Sequence, residues 1–397
     1  MEDNMPKRFE ATDGKWILLL ALLSGLAFAA EGALRMLMQL YLKEAGAVPL
    51  VISLNTSVAW LGLSVGTSVW GYLSDRFSRK PMLLIILLAG ALTSGLLALF
   101  LPPAAALVMV GVRASLISGL IPIAMGLVSG EGSAKGRGRR VSYMGASRAL
   151  GLALGFVLGG GLLEAIGLRA SFLTLAALPL LSTMLLVPFP RSDEHAVVSG
   201  RTAGWRCLGP RGLRGLYLGV LLRQTAIVGC LSLIYVYMDD LGVRAGIMGI
   251  VTSLGPGMAV LGMLLSGRAT DRIGRKRVFV FGFALSLLVP ALFAVSGGAA
   301  GIAAGYVALG LSFGSLYIGS TAHIGDVMPA SRHGEMIGLF EASRGIGGVL
   351  GPLVAGSVVA FVGYRGMFLV LLGIAALGLL LASFRTREAP GGPPDPC

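Results

Sequence analysis

The chain has 397 residues, 55% of them hydrophobic and 13% charged, with a mean hydropathy of +0.84. Soluble domains carry about 25% charged residues, so a water-soluble fold is excluded and a polytopic membrane protein is predicted. The formal net charge of +13 does not imply nucleic acid, because the cations gather in short loops beside apolar runs, where they fix membrane orientation.

At about 20 apolar residues per crossing, the sequence predicts an all-α membrane protein of twelve spans. Spans 1 to 6 cover 16–42, 49–74, 81–101, 104–129, 141–163 and 170–190. Spans 7 to 12 cover 213–238, 246–269, 278–297, 299–325, 336–362 and 366–384. Leu101 to Pro103 is a hard helix stop between spans 3 and 4. Residues 191–212 are polar and basic, and read as a linker between an N-terminal bundle, 1–190, and a C-terminal bundle, 213–397. The tail from Pro390 is rich in proline and glycine and is expected to be disordered. Gly255, Pro256 and Gly257 are expected to kink span 8.

The two halves repeat at a fixed offset. Gly71, Asp75, Arg76, Arg79 and Lys80 return as Gly267, Asp271, Arg272, Arg275 and Lys276, each 196 residues later. The same offset of 196 relates Tyr41 to Tyr237, Gly46 to Gly242, Arg148 to Arg344, Gly151 to Gly347, Gly155 to Gly351 and Gly167 to Gly363. A repeat of this length in a membrane protein marks a transporter-like architecture. Lys and Arg concentrate in the N-terminus, both repeated turns, the 131–140 loop, the linker, the 326–335 loop and the tail. The opposite side holds Lys43, Arg169, Arg244 and Arg365. Both termini are therefore expected in the cytosol, with the chain in the plasma (inner) membrane.

The turn Gly-x-Leu-x-Asp-Arg-x-x-Arg-Lys at the cytosolic end of span 2, repeated after span 8, resembles the signature loop of the major facilitator superfamily. The first copy has Ser78 where the second has Gly274, and the second has Ala269 in place of the leucine. The resemblance implies two pseudo-symmetric six-helix bundles working by alternating access, with spans 1, 4, 7 and 10 lining a cavity. It also implies that Asp75 faces the start of a helix in the opposite half, here around Glu335 to Gly338. Two readings stand, a latch that closes the cytosolic side and a plain loop anchor. Gly71 and Gly267 are expected to allow close helix approach, and Asp326 to pair with Arg272 or Arg275.

Glycines four residues apart, at Gly151 and Gly155 and at Gly347 and Gly351, predict close helix packing. Gly351 with Pro352 resembles the glycine-proline motif that antiporters of the family carry in span 5. Span 5 itself has Phe156 in the proline slot.

Ionisable groups inside spans are costly and mark candidate functional sites. Glu31, Arg35, Arg113 and Arg223 lie in the middle or outer part of their spans, without ionisable counterparts at the repeat offset. They are the candidates for solute reading and proton coupling. Glu31 and Arg35 are four residues apart, so an ion pair within one helix is the competing reading. Arg113 resembles the span-4 arginine of proton-coupled members, although Ile117 stands where a glycine should follow. Arg148, Glu341 and Arg344 lie nearer the cytosolic edge and read as gate partners. The excess of arginines mildly favours an anionic solute.

The predicted function is a secondary transporter of a small organic solute, monomeric, exchanging it for protons in the direction of export. An importer or facilitator of organic anions is the alternative within transport, and a transport-inactive sensor the alternative outside it. His195, His323 and His333 are far apart, so no catalytic cluster supports an enzyme. Cys207, Cys230 and Cys397 have no metal-ligand spacing, and neither metal nor cofactor is expected.

Overall fold

The structure is a computed structural model that describes residues 5–74, 76–124, 137–188, 213–328 and 332–386, without the side chains of 5–15 and 137–142. Asp75, the linker and the tail lie outside the described residues. Among them, ten helices are long and apolar enough to cross a membrane. Two of the ten, Tyr143–Leu186 and His333–Arg385, run 44 and 53 residues. At 1.5 Å per residue that is more than twice the roughly 30 Å hydrocarbon core. Each is broken by a glycine with left-handed backbone, Gly167 at φ 74° and Gly363 at φ 67°. Each therefore supplies two crossings, which gives the twelve expected.

The repeat is visible in backbone geometry. Gly167 and Gly363 are repeat mates, as are Gly46 and Gly242, both at φ 72°. A residue with a Cβ is strained there. The turn after span 8 uses Gly274 at φ 91°, whereas Ser78 takes φ −57° and ψ 128° in the first copy. The Ser-for-Gly difference thus corresponds to two different turn conformations.

One detail departs from the sequence reading. Span 8 runs as one helix, Ala245–Ile273, with Pro256 inside it, whereas span 7 is interrupted, between the helices Arg214–Leu231 and Ile234–Asp240. Freed backbone groups inside a membrane need partners, and Gln39 supplies them. Its Nε2 donates to the Leu231 carbonyl at 2.9 Å, and its Oε1 accepts from the Tyr235 amide at 3.3 Å.

The chain forms two compact units, Met1–Met38 with Leu61–Ser199 and Gln39–Trp60 with Gly200–Cys397. In the first, Leu20, Leu83, Leu87, Leu120, Met144 and Leu186 belong to one buried core. In the second, Leu216, Phe279, Phe283, Leu316, Phe340 and Ala382 do the same. These two sets match position by position at the repeat offset of 196. The same contacts between helices recur as well. A methyl at Gly151 would strike Gly25 and one at Gly155 would strike Ala29. Their mates Gly347 and Gly351 meet Leu221 and Thr225, the mates of Gly25 and Ala29. Backbones touch there because no side chain intervenes. Pro352 is buried beside them.

Gly71 and Gly267 behave differently from the expectation. A methyl built on either meets nothing within 4 Å, so neither is a point of close approach. The close approach in span 2 lies deeper, where Gly62 and Gly66 back onto Gly111 and Ser115. Large apolar side chains such as Leu92, Leu264 and Phe361 are exposed on the outer faces, as lipid contact requires.

Candidate functional site

Glu31 sits about 20 Å from either end of the apolar helix Trp16–Glu44, by residue count. It is buried, and its carboxylate is shared by two guanidiniums. Arg113 donates through Nη1 to Oε2 in a close ion pair, and Arg35 donates through Nε to Oε1 at 3.2 Å. Arg113 is 4% exposed, whereas the Arg35 side chain is 44% exposed. The Arg113 Nε donates to Ser94 Oγ at 3.2 Å, and Ser94 donates in turn to the Gly90 carbonyl at 2.7 Å. Arg113 Nη2 is buried without a hydrogen-bond partner among the described residues. The cluster therefore joins three spans, 1, 3 and 4, around one acid.

The intrahelical pair with Arg35 was legible from i,i+4 spacing, but the deeper partner was not. Ser94 lies in span 3, which carries no mid-span charge, and gave no signal. A helical serine usually bonds its own preceding turn, as Ser94 also does.

The second unit holds Arg223, 3% exposed. Its Nη2 donates to Ser312 Oγ at 3.0 Å, and its Nε has no partner among the described residues. Arg344 donates to Glu341 at 2.7 Å and lies over the rings of Phe313 and Tyr317, 5.3 and 5.7 Å from their centroids. Its repeat mate Arg148 lies 5.1 Å from the Phe28 centroid. The two repeat-related arginines thus both sit over aromatic rings, where cation–π attraction holds them.

The repeated turns contain ordinary anchoring contacts. Lys80 caps the Val187 carbonyl at 2.9 Å, and Arg76 stacks 4.2 Å from the Tyr72 centroid. In the second copy, Arg275 pairs with Asp326 and donates to the Ala322 carbonyl at 3.0 Å. Of the two cations open to Asp326, the structure selects Arg275 over Arg272. Asp271, Arg272 and Lys276 form no ion pair with a described residue, and Arg79 has contacts of its own. Glu335, expected opposite Asp75, pairs with Arg332 at 3.1 Å.

At the other end of spans 1 and 7, within the second unit, Lys43 binds Asp239 closely and Asp240 at 2.6 Å. Lys43 and Asp239 are repeat mates, 196 apart. The repeat has replaced a cation with an anion at the position where the two copies meet.

A transporter fold of two six-helix bundles with buried charges is what these observations define. The Major Facilitator Superfamily model matches residues 20–238 and 216–396, and the chain belongs to that family. It is a secondary transporter, an integral multi-pass membrane protein that moves a small-molecule solute. Similar sequences include the multidrug resistance efflux pump PmrA of Streptococcus pneumoniae, 24% identical over 84% of this chain and 86% of PmrA. The multidrug resistance protein MdtG of Klebsiella pneumoniae is 26% identical over 85% of each chain. Among solved structures, the nucleoside transporter NupG superposes with a TM-score of 0.74 at 17% identity, covering 92% of this chain and 98% of NupG. A bacterial homologue of the human lysosomal transporter Spinster, inward-facing and unoccupied, gives a TM-score of 0.77 at 14% identity, covering 96% and 99%.

Proposed function

We propose that the chain exports small organic solutes in exchange for protons, with Glu31 as the proton carrier and Arg113 as the group that senses its charge. The observation that carries this reading is the Glu31 carboxylate, buried and shared between Arg113 and Arg35. While ionised, it neutralises Arg113. A proton on Glu31 withdraws that counter-charge and leaves a guanidinium buried with only Ser94, which costs several kcal/mol. The protonated state is therefore driven towards an arrangement in which Arg113 is solvated or re-paired. That is the differential stability alternating access requires. The direction rests on the similarity to proteins named as multidrug efflux pumps.

The two six-span bundles, 1–190 and 213–397, move against each other in this reading, joined by the linker 191–212. The repeated turns hold their cytosolic edges. The protein works as a monomer in the plasma membrane with both termini in the cytosol. The test uses proteoliposomes containing a pH-sensitive dye and an imposed solute gradient. Solute-driven proton movement is expected in wild type and lost in Glu31→Gln. Solute flux without proton movement, unchanged in the variant, would leave Glu31 as a structural partner of the two arginines.

A further inference from the structure

The two units handle their deepest arginines differently. Arg113 has a carboxylate partner, a hydroxyl partner and a second cation sharing the same acid. Arg223 is buried as deeply but has only Ser312 as a side-chain partner among the described residues. Ser312 Oγ is itself committed as a donor to the Leu309 carbonyl at 2.8 Å. It can accept from Arg223 but brings no charge. A further arginine of this unit, Arg344, is itself a cation and supplies no counter-charge. Glu341, the acid nearest in sequence to Arg344, is already paired with it.

A buried, uncompensated guanidinium is expensive, and chains keep such groups where a counter-charge arrives during function. The open Nε matters here. A guanidinium recognises carboxylate and phosphoryl groups through parallel N–H donors, and Arg223 has an Nε–H with no partner among the described residues. Ser312 fixes the plane of the fork by holding Nη2. Arg223 lies about 14 Å along its helix from Arg214, well inside the apolar segment Arg214–Asp240.

We propose that Arg223, oriented by Ser312, is the docking point for an anionic group of the transported solute, a carboxylate or a phosphoryl. The inference rests on the transport reading only in taking the bound molecule to be cargo, and it assigns the second unit the reading of charge while the first carries the proton. Ser312 is a positioning residue, and Arg223 is the binding residue.

The test is equilibrium binding to the purified full chain in neutral detergent. It compares benzoate and phenyl phosphate with the uncharged benzamide and the cationic benzylamine. The two anions are expected to bind wild type and to raise its melting temperature. Arg223→Gln weakens both by about 10- to 100-fold, the value of one or two charge-assisted hydrogen bonds. Arg223→Lys, which keeps the charge but loses the fork, falls between. Benzamide binds wild type and Arg223→Gln alike, and benzylamine, repelled by the guanidinium, binds the variant no worse than wild type.

A ligand-free melt guards against misfolding, since removing an unpaired buried charge should leave the Arg223→Gln melting temperature at or above that of wild type. Anions binding no better than benzamide, or binding Arg223→Gln as well as wild type, overturn the proposal. Phosphatidylglycerol added to the micelles and displacing benzoate would assign the site to a lipid headgroup and also overturn it. Anion binding through Arg223 without flux in liposomes would defeat the transport reading and leave this one standing. Proton-linked flux of uncharged solutes without anion binding would do the reverse.

Discussion

The pairing of Glu31 with Arg113 makes a quantitative prediction about stability. Arg113→Gln removes the cation that binds Oε2 and the donor that holds Ser94. Glu31 then retains only Arg35, whose side chain is 44% exposed and bonds at 3.2 Å. Breaking a buried pair by removing one partner costs about 3–5 kcal/mol. The surviving contact with Arg35 puts the loss near the lower end, about 3 kcal/mol. For a unit of roughly 200 residues each kcal/mol moves the melting temperature by about 2–4 °C, so a fall of about 6–12 °C is expected. Glu31→Gln should cost at least as much, because Arg35 can turn to solvent but Arg113 stays buried with only Ser94 as a partner. The double variant leaves no buried charge of this cluster unpaired, so it should be more stable than the sum of the two losses by about 2 kcal/mol or more. The assay is a melt of the purified chain in detergent, run as a double-mutant cycle. Losses that simply add would show that the two side chains are not energetically coupled and would remove the basis of the coupling reading.

Gly155→Val should strongly reduce the yield of folded protein, because its Cβ would strike the Ala29 backbone, while Gly71→Ala, with nothing within 4 Å, should melt within about 2 °C of wild type. Gly363→Ala, placing a Cβ at φ 67°, should cost about 1–2 kcal/mol and be read as a lower melting temperature. Lys43→Asp sets three carboxylates together at the C-terminal ends of spans 1 and 7. It should lower the melting temperature at low salt, with the loss shrinking as salt rises. The exchange Lys43→Asp with Asp239→Lys should restore most of it, because the two positions are repeat mates.

Much of the fold was legible because the repeat offset constrains both halves at once. The charged turns, the positive-φ pairs Gly46 with Gly242 and Gly167 with Gly363, and the matched cores of Leu83 with Phe279 and Leu87 with Phe283 follow it. What a single chain does not encode locally is the register between helices. Glu31 could see Arg35 through helical spacing, but its partner Arg113 lies 82 residues away, and only packing of spans 1 and 4 brings them together. Ser94 and Ser312 are uncharged and common in helices, so nothing separated them from packing residues. The glycines of the repeated turn misled for a related reason. A glycine permits close approach without requiring it, and Gly71 and Gly267 sit at helix ends with no neighbour to approach. The break in span 7 was hidden because its partner, Gln39, comes from a distant span.

The most direct measurement is uptake of a labelled solute into proteoliposomes holding an imposed inside-acid pH gradient. Proton exchange through Glu31 predicts that wild type accumulates the solute transiently above equilibrium and that a protonophore abolishes the overshoot. Glu31→Gln should still exchange labelled for unlabelled solute across the membrane while showing no overshoot. An overshoot equal in wild type and Glu31→Gln, or one driven only by an inside-alkaline gradient, would contradict proton antiport through this residue.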